Sequence, residues 1–381
     1  MDSKYSFQPF DLERLLTTVF MPKAGERICL LFDFAEPQRA IKDFSFLSAP
    51  GNEVQKLGYE KFYQALHDGV LEKLSLTGGE VFAYQETGGS NLDLPDEAYR
   101  PDGSQCSLET DVYPKYEIIL CISNYSATAP LTAFCKQYGF RGATLHGLNP
   151  IILASGLAVN YEEVSEVAEK MRLGMTKADA VEIDFVIGNE RATLRLELGQ
   201  QEAQKSHGLC REGADVANLP AGEIYFVPES AGGAFPLQFE DGSIGLMQVR
   251  DGYIVDGSLL TGNQATVQAF VEKVKTDPAS GEIGELGFGT QELPVSGRDI
   301  QDEKILGTFH VATGRSDHLG GDITPDKFKH AGNATHDDIL FSPEKTPSIK
   351  APEVRMYKGG TTTTLIENYT PSAYLMELRS S

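Results

Sequence analysis

The apolar residues of this chain follow two different patterns on either side of residue 176, and no single sheet satisfies both. Before that point, GERICLLFDF (25–34), VFAYQE (81–86) and YEIILCIS (116–123) are nearly continuous apolar runs. A run without polar alternation suits a strand covered on both faces, as in a parallel sheet. TAPLTAFCKQYGF then has a helical period and RGATLHGL reads as a strand, so strand, helix and strand alternate as in an α/β sandwich. NYEEVSEVAEKMRLG is predicted to be a helix capped by Asn160, with Glu163 three positions later and Gly174 at its end.

Beyond residue 176 the pattern changes. AVEIDFVIGNERATLRLELG alternates apolar and polar residues about a Gly-Asn turn, the mark of an antiparallel hairpin. Asp-Gly pairs at 241–242, 251–252 and 256–257 predict further turns between short strands. One helix is expected in NQATVQAFVEKV (263–274), capped by Asn263, and Thr361 to Thr364 suit a strand. The expected fold is an α/β N-terminal domain with a mainly parallel sheet over 1–176, followed by a β-rich α+β C-terminal domain over 177–381. Two domains also fit the 381-residue length, which exceeds what one core usually serves.

Charge narrows the choice of partners. Lys and Arg number 33 against 55 Asp and Glu, a formal charge of -22, so nucleic acid and anionic membrane are poor partners and cations are favoured ones. The N-terminal MDSKYSFQPFDLERLL lacks the apolar core of a signal peptide, and no apolar run reaches the length of a membrane span, so a cytoplasmic protein is expected. Cys29, Cys106, Cys121, Cys135 and Cys210 are scattered without paired spacing and read as reduced, buried thiols.

Four of the seven histidines, His310, His318, His330 and His336, crowd one stretch near the C-terminus. If NATHDDILF is a strand, His336 and Asp338 share one face and Asp337 takes the other; an acidic turn would read the same. His310 lies in the apolar, alternating GTFHVATG, where a buried imidazole needs a partner, either an ion or a backbone group. Glu223 in NLPAGEIYFVP and Glu285 in IGELGFG stand among apolar residues and are either buried with a cation or exposed at a strand end. Glu223, Glu285, His310, His336 and Asp338 together offer a shell for two divalent ions sharing a carboxylate, or for one ion held by two His and one carboxylate.

NLPAGE (218–223), IGELGFGT (283–290), DEKILGTFHVATG (302–314) and the later His-x-Asp resemble, in order, the motifs of the M29 family of metallo-aminopeptidases. The specific likeness covers 218–341, and the first half adds its α/β pattern and SNYSATAP. The resemblance implies a homodimer in which Glu223, Glu285, His310, His336 and Asp338 bind a pair of ions such as Zn, Co or Mn. Glu285 is then the bridging ligand by family position, and Glu223 or another nearby carboxylate is the proton relay. The substrate implied is a small peptide or amino-acid amide.

The chain also departs from that pattern. Asp317 stands where the family has a tyrosine seven residues after the histidine, Asp337 where it has the tryptophan of His-Trp-Asp, and Gln301 where it has a glutamate. His318 or His330 is a candidate replacement for that tyrosine, although a loop histidine is ordinarily solvated. The iron-dependent 2,5-dihydroxypyridine dioxygenase resembles the same family and keeps two His and one Asp around a single Fe(II). His310, His336 and Asp338 would serve that ring-cleaving chemistry on a hydroxylated aromatic. A third reading is a biosynthetic or binding descendant that is not a peptidase.

Overall fold

The computed structural model describes residues 6–380, so Met1 to Tyr5 of the N-terminal segment lie outside the described residues. It resolves into two compact units, 1–165 with 207–221, and 166–206 with 222–381. The first unit is α/β and the second β-rich.

The first unit is built on a seven-stranded sheet. Asp215–Asn218, Arg141–Thr144, Ile118–Ile122, Arg27–Phe34 and Thr77–Gln85 run parallel in that order, and the short Glu97–Tyr99 and Gln105–Ser107 strands extend it antiparallel. Ile118–Ile122 is buried at every position and Arg27–Phe34 at all but its first, as their unbroken apolar runs require. The Thr128–Tyr138 helix carries Pro130 in its first turn and ends on Gly139 at φ 86°, a left-handed conformation that favours glycine.

The Tyr161–Met175 helix begins as its sequence predicts, with the Asn160 side chain accepting from the Glu162 N–H and donating to Glu163. Gly174 does not end it. The helix continues to Met175, and Gly174 lacks a Cβ because the Leu378 side chain occupies that space.

Two antiparallel sheets make up the second unit. The larger, eight-stranded sheet includes the predicted hairpin, Ala180–Ile187 with Glu190–Glu197, and the Thr361–Glu367 strand. Asp256–Gly257 is not a turn but lies inside the Tyr253–Thr261 strand. Glycine is needed there because Met247 and Val271, the latter from the Gln264–Thr276 helix, pack onto its backbone. Asn263 caps that helix by accepting the Ala265 N–H.

The smaller sheet has the order His336–Phe341, Phe309–Gly314, Ile283–Gly289, Glu223–Phe226 and Gln204–Ser206. One face joins the larger sheet in a single apolar core. Phe226, Leu286, Phe288, Phe309, Val311 and Phe341 all belong to it, and Phe185 of the larger sheet meets Phe309 and Phe341 at ring-centroid distances of 6.3 and 4.9 Å. The other face holds the candidate site.

Candidate metal centre

Register places the five residues on one face. In an antiparallel ladder, directly opposed residues project to the same side. Glu223 pairs with Gly289, Gly287 with His310, Glu285 with Ala312, Ala312 with Asp338, and Gly314 with His336. Glu223, Glu285, His310, His336 and Asp338 therefore share the face opposite Phe309 and Val311, and Asp337 lies on the other side.

The residues directly opposite them in the ladder include Gly287, Gly289, Ala312 and Gly314, small enough to leave room for imidazole and carboxylate groups. Gly287 shows the need most directly, because a Cβ there would occupy the position of the His310 ring.

The groups converge closely. Glu285 reaches both histidines, with Oε1 3.4 Å from His310 Nε2 and Oε2 3.0 Å from His336 Nε2. Asp338 Oδ1 is 3.3 Å from His336 Nε2 and 3.9 Å from His310 Nε2, and Glu223 Oε2 is 3.7 Å from His310 Nε2. Three overlapping triads have ligand atoms within 4.8 Å of one another: Glu223–Glu285–His310, Glu285–His336–Asp338 and Glu303–His310–Asp338. All are buried except Asp338, whose side chain is 31% exposed and is the open side of the cluster.

Electrostatics couple these groups to one another. Burial pushes the Glu285 carboxyl up, but hydrogen bonds from His310 and His336 outweigh it and hold the group well below the usual carboxylate range. Burial would in turn push His310 down, and the Glu285 carboxylate instead lifts it to about 10. His336 is held well above its ordinary value, because Asp338 and Glu285 outweigh its burial. Asp338 is lowered, the His336 charge overcoming its own desolvation.

The donor set fits a divalent ion. His336 Nδ1 donates to the Arg315 carbonyl at 2.6 Å, and since a carbonyl only accepts, the proton is fixed on Nδ1 and Nε2 faces the carboxylates. Glu223 Oε2 is buried with no hydrogen-bond partner among the described residues, an acceptor whose burial is costly unless a cation meets it. Two imidazoles with several carboxylates suit Zn, Co, Mn or Fe(II).

The sequence reading missed Glu303 and Lys304, both buried beside the five. Lys304 Nζ contacts Glu223 Oε1 at 2.6 Å and Glu303 Oε1 at 2.5 Å. The signal was the DEK triplet abutting the apolar ILGTFH, but a charged triplet ordinarily marks a solvated turn.

His318 is not the solvated loop residue its setting suggests. Its side chain is 5% exposed and its ring lies edge-on to His336 at 4.9 Å between centroids. His330 is exposed and stands apart from the three triads. Asp317, in place of the family tyrosine, is engaged by Arg315 at 2.8 Å.

No protein-family model matches the chain, and no curated protein matches it by sequence. Among solved structures, it is similar to the 2,5-dihydroxypyridine dioxygenase of Pseudomonas putida KT2440, with 13% identity over 91% of this chain and 92% of that one, at a TM-score of 0.58. It is also similar to wild-type AmpT from Thermus thermophilus, with 14% identity over 95% and 98% of the two chains, at a TM-score of 0.48. The likeness to the dioxygenase shows a shared fold.

Proposed function

We propose that the chain is a metal-dependent hydrolase, an aminopeptidase or a relative of one, that cleaves a small peptide or amino-acid amide. The reading assigns the catalytic domain to 177–381 and makes the protein a cytoplasmic homodimer, with no nucleic-acid or membrane partner. Among the described residues, no helix is long and apolar enough to cross a membrane.

One observation carries it. Glu285 is shared between two triads, one oxygen turned toward His310 and the other toward His336. A buried carboxylate presenting its two oxygens to two separate imidazoles has the disposition of a bridging ligand. Glu223 with His310 would hold one ion, and His336 with Asp338 the other.

A pair of divalent ions supplies Lewis acidity and brings the pKa of water toward neutrality. The chain's own residues orient and relay. Glu285 holds both imidazoles in place, and the Arg315 carbonyl locks the His336 tautomer. A carboxylate of the cluster, Glu223 or a neighbour, would relay a proton from water to the leaving amine. The apolar face beneath keeps bulk water away from the buried side, so substrate approaches from the Asp338 side.

A specific observation favours a second reading. The Lys304 ammonium lies against Glu223, where a second cation would otherwise neutralise it. A single Fe(II) held by His310, His336 and Asp338 would then suit ring-cleaving oxidation of a hydroxylated aromatic. The two readings separate in one assay series. Protein loaded with Co, Zn or Mn is expected to cleave aminoacyl anilides. Oxygen uptake with dihydroxypyridines after anaerobic Fe(II) loading, together with no anilide cleavage under any metal, would overturn the hydrolase in favour of the dioxygenase.

A further inference from the structure

Lys304 is 1% exposed, and a lysine so deeply buried needs strong compensation. Glu223 and Glu303 provide it, each through a single oxygen.

The backbone is arranged to bring this ammonium in. The Lys304 carbonyl accepts the Gln291 N–H at 2.8 Å, and the Lys304 N–H donates to the Gln301 carbonyl at 2.9 Å. Gly289, the cross-strand partner of Glu223, lets the Lys304–Ile305 backbone press directly onto the strand, because a Cβ there would strike both residues' backbone atoms.

The oxygens left over are informative. With Oε1 taken by Lys304, Glu223 turns Oε2 toward His310 Nε2 at 3.7 Å, with no hydrogen-bond partner for that oxygen among the described residues. Glu303 is engaged in the same way and still belongs to a triad with His310 and Asp338.

We propose that Lys304 is a positioning residue of the metal centre: by engaging one oxygen each of Glu223 and Glu303, it limits both to one-oxygen ligation on the His310 side. The assignment rests on the metal reading above. Without the ammonium, Glu223 and Glu303 would be free to bind an ion through both oxygens or to turn away. Either change alters the coordination geometry on the His310 side and leaves the Glu285–His336–Asp338 side in place.

The test loads wild type, Lys304→Met and the milder Lys304→Gln with Co(II), measuring cobalt per chain, dissociation constants and the visible absorption of the bound cobalt. Thermal unfolding controls for folding. Both variants are expected to show an altered cobalt spectrum and a binding step weakened about 10–100-fold, the usual consequence of disturbing a ligand's support. A folded variant with wild-type stoichiometry, affinity and spectrum, merely less stable, would overturn the assignment while leaving the metal reading intact. A wild-type chain that takes up no cobalt would overturn the metal reading, and this assignment with it.

Discussion

The Ile118–Ile122 strand of the first unit and the Phe309–Gly314 strand of the second are both buried along their whole length, yet they are built in opposite ways. Ile118–Ile122 is apolar at every position, and other apolar groups cover both its faces. Phe309–Gly314 alternates, sending Phe309 and Val311 into the core and His310 into a cluster of carboxylates. Burial therefore does not identify a strand's role; what covers each face does. The first arrangement is stabilised by packing. The second gives up packing on one face for charges that must neutralise one another, a trade that ordinary stability does not reward and a functional site explains.

The largest expected effect tests the apolar strand. Leu120→Ala removes a fully packed side chain and should cost about 2–5 kcal/mol by denaturant unfolding of the first unit. Metal uptake by the folded variant should be unchanged.

A buried carboxylate in the first unit sharpens the contrast, because it has no imidazole beside it. Asp33, near the end of the Arg27–Phe34 strand, is driven by burial from 3.8 up to about 6, despite the Asn124 N–H and the Gln55 amide it accepts. The folded state thus holds this proton more tightly than the unfolded chain. The associated stability is full below about pH 4 and is lost as pH rises through about 6, a change of at most about 3 kcal/mol at ~1.4 kcal/mol per pKa unit. Asp33→Asn should flatten that slope when unfolding is compared at pH 4 and pH 7.

Gly287→Ala should break the charged face without touching the apolar one. The new methyl would occupy the His310 ring's place, costing about 1–3 kcal/mol and displacing the imidazole. Bound metal measured after dialysis should fall sharply. The smallest effect is expected at Asp337, which lies on the opposite side of its strand from Asp338 and only 3.8 Å from Lys273 in a solvent-exposed pair. Asp337→Asn should change stability by less than about 0.5 kcal/mol and leave metal affinity as it is.

Much of this contrast was legible in the sequence. The runs at 25–34 and 116–123 announced strands covered on both faces, and the two-residue spacing of His336 and Asp338 put them on one side. What remained hidden depends on long-range placement. Nothing local indicates that Asp215–Asn218 pairs with Arg141–Thr144 in the first unit's sheet after the chain has already entered the second. Lys304 and Glu303 carry no local mark of burial, because their partner, Glu223, is distant in sequence. His318 sits in a glycine-rich, polar loop, and only the fold brings its ring against His336. Gly174 and Gly257 mimic punctuation, but their lack of a side chain serves close packing.

The central claim is that Glu223, Glu285, His310, His336 and Asp338 form one metal centre. Elemental analysis of the purified chain after loading with Co, Zn or Mn, run beside His336→Ala, tests it most directly. Two ions per wild-type chain are expected, with the His336→Ala variant losing at least the ion of the Glu285–His336–Asp338 triad. A wild-type chain without bound metal, or a variant that retains the full complement, would contradict it.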